Sequence, residues 1–587
     1  AGLQEIFDSH IGAGTVLAPY GGMTLRSPED VMAAMIPVHK GVSKTASLMA
    51  YGFEPYRSEA NPYRGAYLSV LDSVTKLWAA GADPERIRLS FQEYFPAVRD
   101  AAHWGLPFQA LLGALDAQLD FSAPAIGGKD SMSGSFGELD VPPNLISFAV
   151  GTAEARKVRS RILLNKPSSE VYILRRAAGE GGNFRWSEDE IREQREKTAA
   201  AVSNEDCLAA SATDPKGLLY TLFTMAVGNQ CGLSINEAFS ASDLFRPMPG
   251  AILVQAESED FKNYLREAGW EKAAELRSDE CFTYKEEKLD LEDAAAVYEG
   301  GLEEVYPQAH KAEWASPDER EAKRADDEGF AAHLRVWLPD KQKASPLVLI
   351  PLFPGSNCEY DSAVSFERAG ARCETLVIRN LSPEDLAESI ERLEDGLRRA
   401  QILFLPGGFS GGDEPDGSAK FITSTFRNEK LAEALTDLYE NRDGLILGIC
   451  NGFQALIKLG LLPYGKIQAQ SASSPTLAYN TVGRHIATYV YTRLLHNNSP
   501  WLSELQPGQI HRLPVSHGEG RLTAPPEVIR ELERSGQIVA QYVDDLGEPS
   551  LFRPFNPNGS AAAVESLMSK DGRILGKMGH SERWNPY

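Results

Sequence analysis

Closely spaced cysteines are missing from this chain, and so is any excess of positive charge. Its 587 residues include six cysteines, at 207, 231, 281, 358, 373 and 450, with no Cys-x-x-Cys and no short Cys/His pairing. That spacing suggests neither a zinc site nor a disulfide scaffold, and it predicts a reducing cytoplasm. Lys and Arg number 59 against 82 Asp and Glu, a net charge of -23. Such a balance argues against general nucleic-acid binding and leaves room for local basic pockets that hold phosphates. No apolar run approaches the roughly 20 residues of a membrane span, and no signal peptide opens the chain. An initiator methionine is also missing. The opening AGLQEIFDSHIGAGTVLAPYGG predicts the middle of a longer polypeptide, or a processed or truncated one.

Hydrophobic residues make up 43% and charged residues 24%, ordinary for a globular protein. The length is too great for one core and predicts roughly three to four domains. Residues 1–50 are punctuated by Gly and Pro, as expected of the tail of one domain leading into another. From Asn61 to about Gly151 helical patterns alternate with apolar strands. Tyr67, Leu71, Val74 and Trp78 form one apolar stripe, with a stop at Gly81 and Pro84 beyond it. SEVYIL, GAILVQA and VPPNLISFAVG read as strands, and the charged stretch Lys311–Gly329 as an exposed helix or linker. After it the runs SPLVLIPLFPGSN, CETLVIRN, AQILFLPGGFSGGD and DGLILGICNG alternate with helical stretches. They predict a separate α/β domain at 346–587, built on a parallel sheet with helices on both faces. Ligands of such folds sit at the carboxyl ends of strands, where PGGFSGGD and GICNG both fall.

Cys450 stands between the apolar run Leu445-Ile446-Leu447 and an amphipathic run carrying Phe453, Leu456 and Ile457, with Gly460 placed as a C-cap. A cysteine at a strand-to-helix turn, with glycines nearby to permit a tight backbone, has the pattern of a nucleophile elbow. A helix N-terminus also favours the thiolate, which is the reactive species. A buried cysteine acting as a small hydrophobe is the plainer reading of any single Cys. A nucleophile needs a base and a group that orients the base. His580 and Glu582, in LGKMGHSERWNPY, fit if a strand-like segment turns both side chains to one face.

GICNG, GHSER and PGGFS together resemble the class I, triad-type glutamine amidotransferases of the purine-biosynthetic branch. The resemblance implies that Cys450 attacks the glutamine carboxamide to form a γ-glutamyl thioester, with ammonia leaving. It also makes His580 the general acid–base and Glu582 its orienter. It places the oxyanion hole near Gly408 and Asn451, a feature worth about 10²–10³ in rate per donor. PVSHGEGR matches a further signature near the glutamine pocket, with Phe409, Ser410 and His517 as contacts.

FSAPAIGGKDSMSGSFGELDVPPNLISFAVG, FDSHIGAGTVLAPYGG, GADPERIRLSFQEYF and PFQALLGALDAQLDF are similar to the second half of the phosphoribosylformylglycinamidine synthase family in its large, single-chain form. The family's reaction converts formylglycinamide ribonucleotide, ATP and glutamine into the amidine, ADP, phosphate and glutamate. The implied architecture is multidomain α/β and α+β. Residues 1–50 would be the tail of a preceding synthetase subdomain. Residues 51–160 and 161–335 would form a PurM-like (AIR synthase-like) pair, and 346–587 a flavodoxin-like class I glutamine amidotransferase domain. The missing first half of the synthetase is then an implied partner, and the present half holds an auxiliary nucleotide site. Gly127, Gly128, Lys129 and Ser131 would take phosphate, with Asp130 and Asp72 as Mg²⁺ ligands. Two further metal positions of the family correspond here to Lys40 and Lys76, whose ammonium groups cannot bind Mg²⁺. A site with little or no metal is therefore expected. The plainer reading of Asp72 and Lys76 is an i,i+4 surface pair. Two alternatives stay open: a class I glutaminase feeding another acceptor, and residues 1–335 as a nucleotide-stabilised docking scaffold.

Overall fold

A computed structural model describes residues 14–38, 43–176, 184–307, 345–412, 417–544, 546–553 and 555–583. Lys40 and the charged stretch 311–329 lie outside them. The chain divides into two compact units, one within 9–301 and one within 302–584. Both mix helices with sheets, in keeping with the expected multidomain α/β and α+β architecture.

Strict alternation builds the first sheet of the 9–301 unit. In Thr45–Phe53 the side chains of Ala46, Leu48 and Ala50 are buried while Met49, Tyr51 and Phe53 face outward. The strand order is Thr15–Leu17, Val31–Met35, Thr45–Phe53, Asn144–Glu154, Arg88–Tyr94 and Ala125–Ser131. Thr15–Leu17 and Val31–Met35 thus belong to the same sheet as Arg88–Tyr94 and Asn144–Glu154. This corrects the reading of 1–50 as the tail of a separate subdomain: short strands punctuated by Gly and Pro add to an edge without a long hydrophobic run. GGKDS is part of the edge strand Ala125–Ser131, parallel to Arg88–Tyr94.

The helix Pro62–Ala79 covers this sheet. Asn61 caps it by accepting from the Arg64 amide, and Pro62 occupies the first turn, where its missing N–H costs nothing. Tyr67, Leu71, Val74 and Trp78 are buried as the stripe predicts. The helix ends where Gly81 takes φ 87° and the Ala82 amide donates to the Leu77 carbonyl at 3.0 Å. Gly52 lies directly beneath it, and a Cβ there would stand 1.9 Å from the Ser69 carbonyl oxygen.

A second sheet runs Cys207–Ala212, Ile252–Ala256, Glu170–Leu174, Glu271–Arg277, Gly232–Ile235, Cys281–Tyr284 and Glu287–Asp290. Arg161 ties this part to the first sheet's connections, bonding Asp30 at 2.7 Å and Thr224 at 2.9 Å.

The 302–584 unit is organised by one nine-stranded sheet. Arg372–Val377, Leu347–Leu352, Ile402–Leu405, Leu445–Ile449 and Ile574–Lys577 run parallel, in that order. Val348, Leu349, Ile350, Leu403, Phe404 and Ile446 are fully buried, which explains continuous rather than alternating apolar runs. The expected all-parallel sheet is extended by four antiparallel strands, Val564–Met568, Ile538–Val543, Ile486–Leu494 and Ile510–His517. Among the described residues no helix is long and apolar enough to cross a membrane.

Gly52→Ala forces a methyl into a helix backbone that has no flexible end to move. The substitution should destabilise the chain by about 1–3 kcal/mol, read as a lower thermal midpoint, whereas Gly127→Ala, with open space at its Cβ position, should leave the midpoint unchanged.

Candidate active site

Cys450 connects the strand Leu445–Ile449 to the helix Asn451–Leu459, with φ 51° and ψ −105°. A non-glycine residue in that region is strained, and such strain persists only where the surroundings fix it. Here the Cys450 amide donates to the Lys577 carbonyl at 2.9 Å, and its carbonyl accepts from Gln454 at 3.0 Å. Gly452 packs so closely that a Cβ would lie 2.0 Å from the Leu405 carbonyl oxygen. The turn is the elbow that the sequence predicts. Its thiol donates to the Ser516 carbonyl at 3.4 Å, and its Cβ and the His580 ring both pack against Gly407.

His580 follows the strand Ile574–Lys577 and is fixed by its own amide, which donates to the Pro514 carbonyl at 2.8 Å. Its Nδ1 lies 2.7 Å from Glu582 Oε1, and both side chains are 3% exposed. The pairing does not come from a strand: Ser581–Arg583 is a 3-10 turn, which curls Glu582 back over the imidazole. Burial pulls the His580 pKa down. The Glu582 charge and hydrogen bond, with the neighbouring Cys358 and Cys450 thiols, outweigh it and hold the imidazole well above its ordinary range. With Nδ1 bound to the carboxylate, Nε2 is left for the reacting groups.

The segment Pro406-Gly407-Gly408-Phe409-Ser410 meets the elbow from the end of Ile402–Leu405. A Cβ on Gly407 would stand 2.8 Å from His580 Cε1, 2.9 Å from Cys358 Sγ and 3.5 Å from Cys450 Cβ, so only glycine fits against the three. Gly408, at φ 126°, folds back onto the 355–357 loop. The Asn451 side chain accepts from the Ser410 amide at 3.3 Å and donates to Gln454 at 2.9 Å. Phe409 stands 6.0 Å from the ring of His485, and Ser410 is buried with its hydroxyl unbonded among the described residues. His517 is buried, pairs through Nδ1 with Asn480 at 3.1 Å, and is pushed down to about 3 by burial and by the charges of His485 and His580. It is therefore neutral, and Nε2 has no partner among the described residues.

Two features escaped the sequence reading. Cys358, in PGSNC, is 1% exposed and lies 3.8 Å from His580 Nδ1, across 222 residues of chain. His485 reaches Ser516 at 3.0 Å. Nothing local marks either residue, because their neighbours are set by sheet order.

The nucleotide and metal residues lie in the other unit. Gly127, Gly128, Lys129 and Asp130 are exposed, and Lys129 Nζ is 3.0 Å from Ser131 Oγ. An exposed glycine edge with an ammonium and a hydroxyl is a donor set suited to phosphate. Asp72 does not fit a metal ligand: it is buried and holds Lys76 at 2.7 Å, while the same ammonium donates to the Tyr51 carbonyl at 2.8 Å. The pair is an internal one rather than the surface pair expected. Among the described residues, neither Asp72 nor Asp130 joins two further Asp, Glu, His or Cys ligands.

The family model for CobB/CobQ-like glutamine amidotransferase domains matches residues 345–586. The PurQ subunit of phosphoribosylformylglycinamidine synthase from Aquifex aeolicus is 34% identical over 232 residues, 40% of this chain and 88% of that protein. The chain belongs to this family. The PurQ subunit from Dehalococcoides mccartyi is 35% identical over 240 residues, 40% of this chain and 84% of its own length. A structure of PurLQS from Thermotoga maritima overlaps with a TM-score of 0.30 and 26% identity, over 40% of this chain and 88% of that one. T. maritima PurL complexed with ATP overlaps at a TM-score of 0.37 and 15% identity, over 55% of each chain. Scores this low bear on neither fold nor function.

Because Glu582 is the largest influence raising the His580 pKa, its removal has a definite sign. A raised histidine keeps its proton until pH climbs through the raised value, so Glu582→Gln should move the alkaline limb of any His580-dependent turnover to lower pH. The pH-rate profile, together with an NMR titration of the His580 ring, checks this; an unshifted limb contradicts it.

Proposed function

We propose that residues 346–587 hydrolyse glutamine and that the ammonia so released amidates formylglycinamide ribonucleotide at the expense of ATP. One observation carries the reading. Cys450 is held in a strained elbow beside the His580 imidazole, whose Nδ1 is fixed by a buried carboxylate. The family to which the chain belongs supports it.

In this reading Cys450, as a thiolate beside the His580 imidazolium, attacks the carboxamide carbon of glutamine. The oxygen of the tetrahedral intermediate is received near Gly408 and Asn451, at the start of a helix whose N-terminal end favours negative charge. His580, held protonated by Glu582, gives its Nε2 proton to the departing ammonia. It then takes a proton from the water that cleaves the γ-glutamyl thioester, and glutamate leaves. Phe409, Ser410 and His517 line the glutamine side chain. His517, being neutral, serves through its free Nε2 and not through charge.

Residues 51–160 and 161–335 act as an AIR synthase-like pair, with residues 15–35 added to the first sheet. The separate six- and seven-stranded sheets within 9–301 support that division. The exposed Gly127–Ser131 edge takes nucleotide phosphate, and ATP, glutamine and formylglycinamide ribonucleotide are the substrates. The Lys76 ammonium occupies the carboxylate that a Mg²⁺ would need, so the auxiliary site works without metal. The first half of the synthetase is the partner needed for the complete reaction. All six cysteines are unpaired, which suits a cytoplasmic enzyme.

Glutamate release from glutamine should be measurable for this chain and abolished in Cys450→Ala, with and without ATP and formylglycinamide ribonucleotide. Release with no phosphate production is the expected pattern. Equal release from wild type and Cys450→Ala would overturn the reading, and stoichiometric ADP and amidine would show the partner half to be unnecessary.

A further inference from the structure

The glutamine chemistry leaves unused a buried thiol beside His580. Cys358 lies on the Nδ1 side of His580, at 3.8 Å, with its thiol 3.2 Å from Asn357 Oδ1. The ligand atoms of Cys358, His580 and Glu582 all fall within 4.8 Å of one another, and the nearest pair, Nδ1 and Oε1, is 2.7 Å apart. Around a tetrahedral zinc ion, sulfur, imidazole nitrogen and carboxylate oxygen stand about 3.3–3.7 Å apart, from bond lengths of about 2.0–2.3 Å. The three groups therefore need to move by about an ångström or less to meet that geometry.

The geometry points to an inhibitory site for a thiophilic divalent cation, zinc above all, held by Cys358 Sγ, His580 Nδ1 and Glu582 carboxylate. One thiolate and one carboxylate cancel the charge of the ion, which allows it to be buried. The thiolate selects zinc over magnesium or calcium. Glu582 Oε2 is buried without a hydrogen-bond partner among the described residues, so a second carboxylate oxygen is available to the ion. Burial keeps the Cys358 thiol protonated in the absence of metal, and this proton passes to solvent as the ion binds. Arg583, bonded to Asp361 at 3.3 Å and close to Cys358 and Glu582, opposes the cation and sets an upper bound on its affinity.

The consequence for turnover is specific. Metal on Nδ1 displaces the Glu582 hydrogen bond and turns His580 from a proton donor into a fixed ligand, while Cys450 is left unligated on the Nε2 side. Inhibition through this site does not need the nucleophile. A cation bridging Cys450 and Nε2, the ordinary way of poisoning a thiol enzyme, would need it.

Cobalt(II) gives a readout independent of glutamine chemistry. Titration of the full chain should produce a sulfur-to-cobalt charge-transfer band that saturates at one equivalent and is displaced by zinc. The band should survive in Cys450→Ala and disappear in Cys358→Ala. X-ray absorption of the zinc-loaded wild-type chain should show one sulfur and at least one imidazole in the first shell, which decides the matter even if a variant fails to fold. A band lost in Cys450→Ala and kept in Cys358→Ala, no band at all, or a zinc shell without sulfur would each overturn the site.

Discussion

A cysteine in the left-handed half of backbone space, at φ 51° and ψ −105°, costs on the order of 1–3 kcal/mol. The surroundings supply that energy by making any relaxed alternative worse. Straightening the turn would break the Cys450 amide bond to Lys577 and the first bond of the helix, from Gln454. It would also drive Gly452 away from the Leu405 carbonyl, against which no larger residue fits. Leu405 and Lys577 belong to the strands on either side of Leu445–Ile449, so the central parallel strands must be in register before the sulfur can be presented. Buried, uninterrupted apolar strands are thus what aims the nucleophile.

Charge is arranged with the same economy. His580 and His517 are both buried, yet their protons are governed in opposite directions. Burial alone pushes both down. Glu582 rescues the proton on His580, and no carboxylate does so for His517, whose nearest charges are histidines. Two identical side chains are thus driven to opposite protonation states by one carboxylate on a 3-10 turn. The same economy holds in the other unit, where Lys76 satisfies Asp72 internally and removes the need for an ion there.

The elbow was legible in the sequence because its parts are contiguous: apolar run, Gly-Ile-Cys-Asn-Gly, amphipathic run, Gly460. His580 and Glu582 were legible as a pair, but the turn that joins them was misread as a strand, since three residues carry too little periodicity to tell. The helix Pro62–Ala79 and its stop were clear from stripe and cap. Thr15–Leu17 and Val31–Met35 were misassigned because strands this short carry too little periodicity to place in a sheet. The place of Cys358 beside His580 was invisible, because chain distance says nothing about two strand ends that a parallel sheet brings together. The antiparallel extension of the sheet was missed for the same reason.

The central claim is that the fold singles out Cys450, and not its buried neighbour Cys358, as the sulfur that meets glutamine. Its most direct test is covalent capture with a glutamine analogue bearing an electrophilic diazoketone in place of the amide, followed by peptide mass spectrometry. The account predicts one adduct per chain, on the peptide containing Cys450, absent after unfolding in urea and suppressed by glutamine. An adduct on Cys358, or equal labelling of the native and unfolded chain, would contradict it.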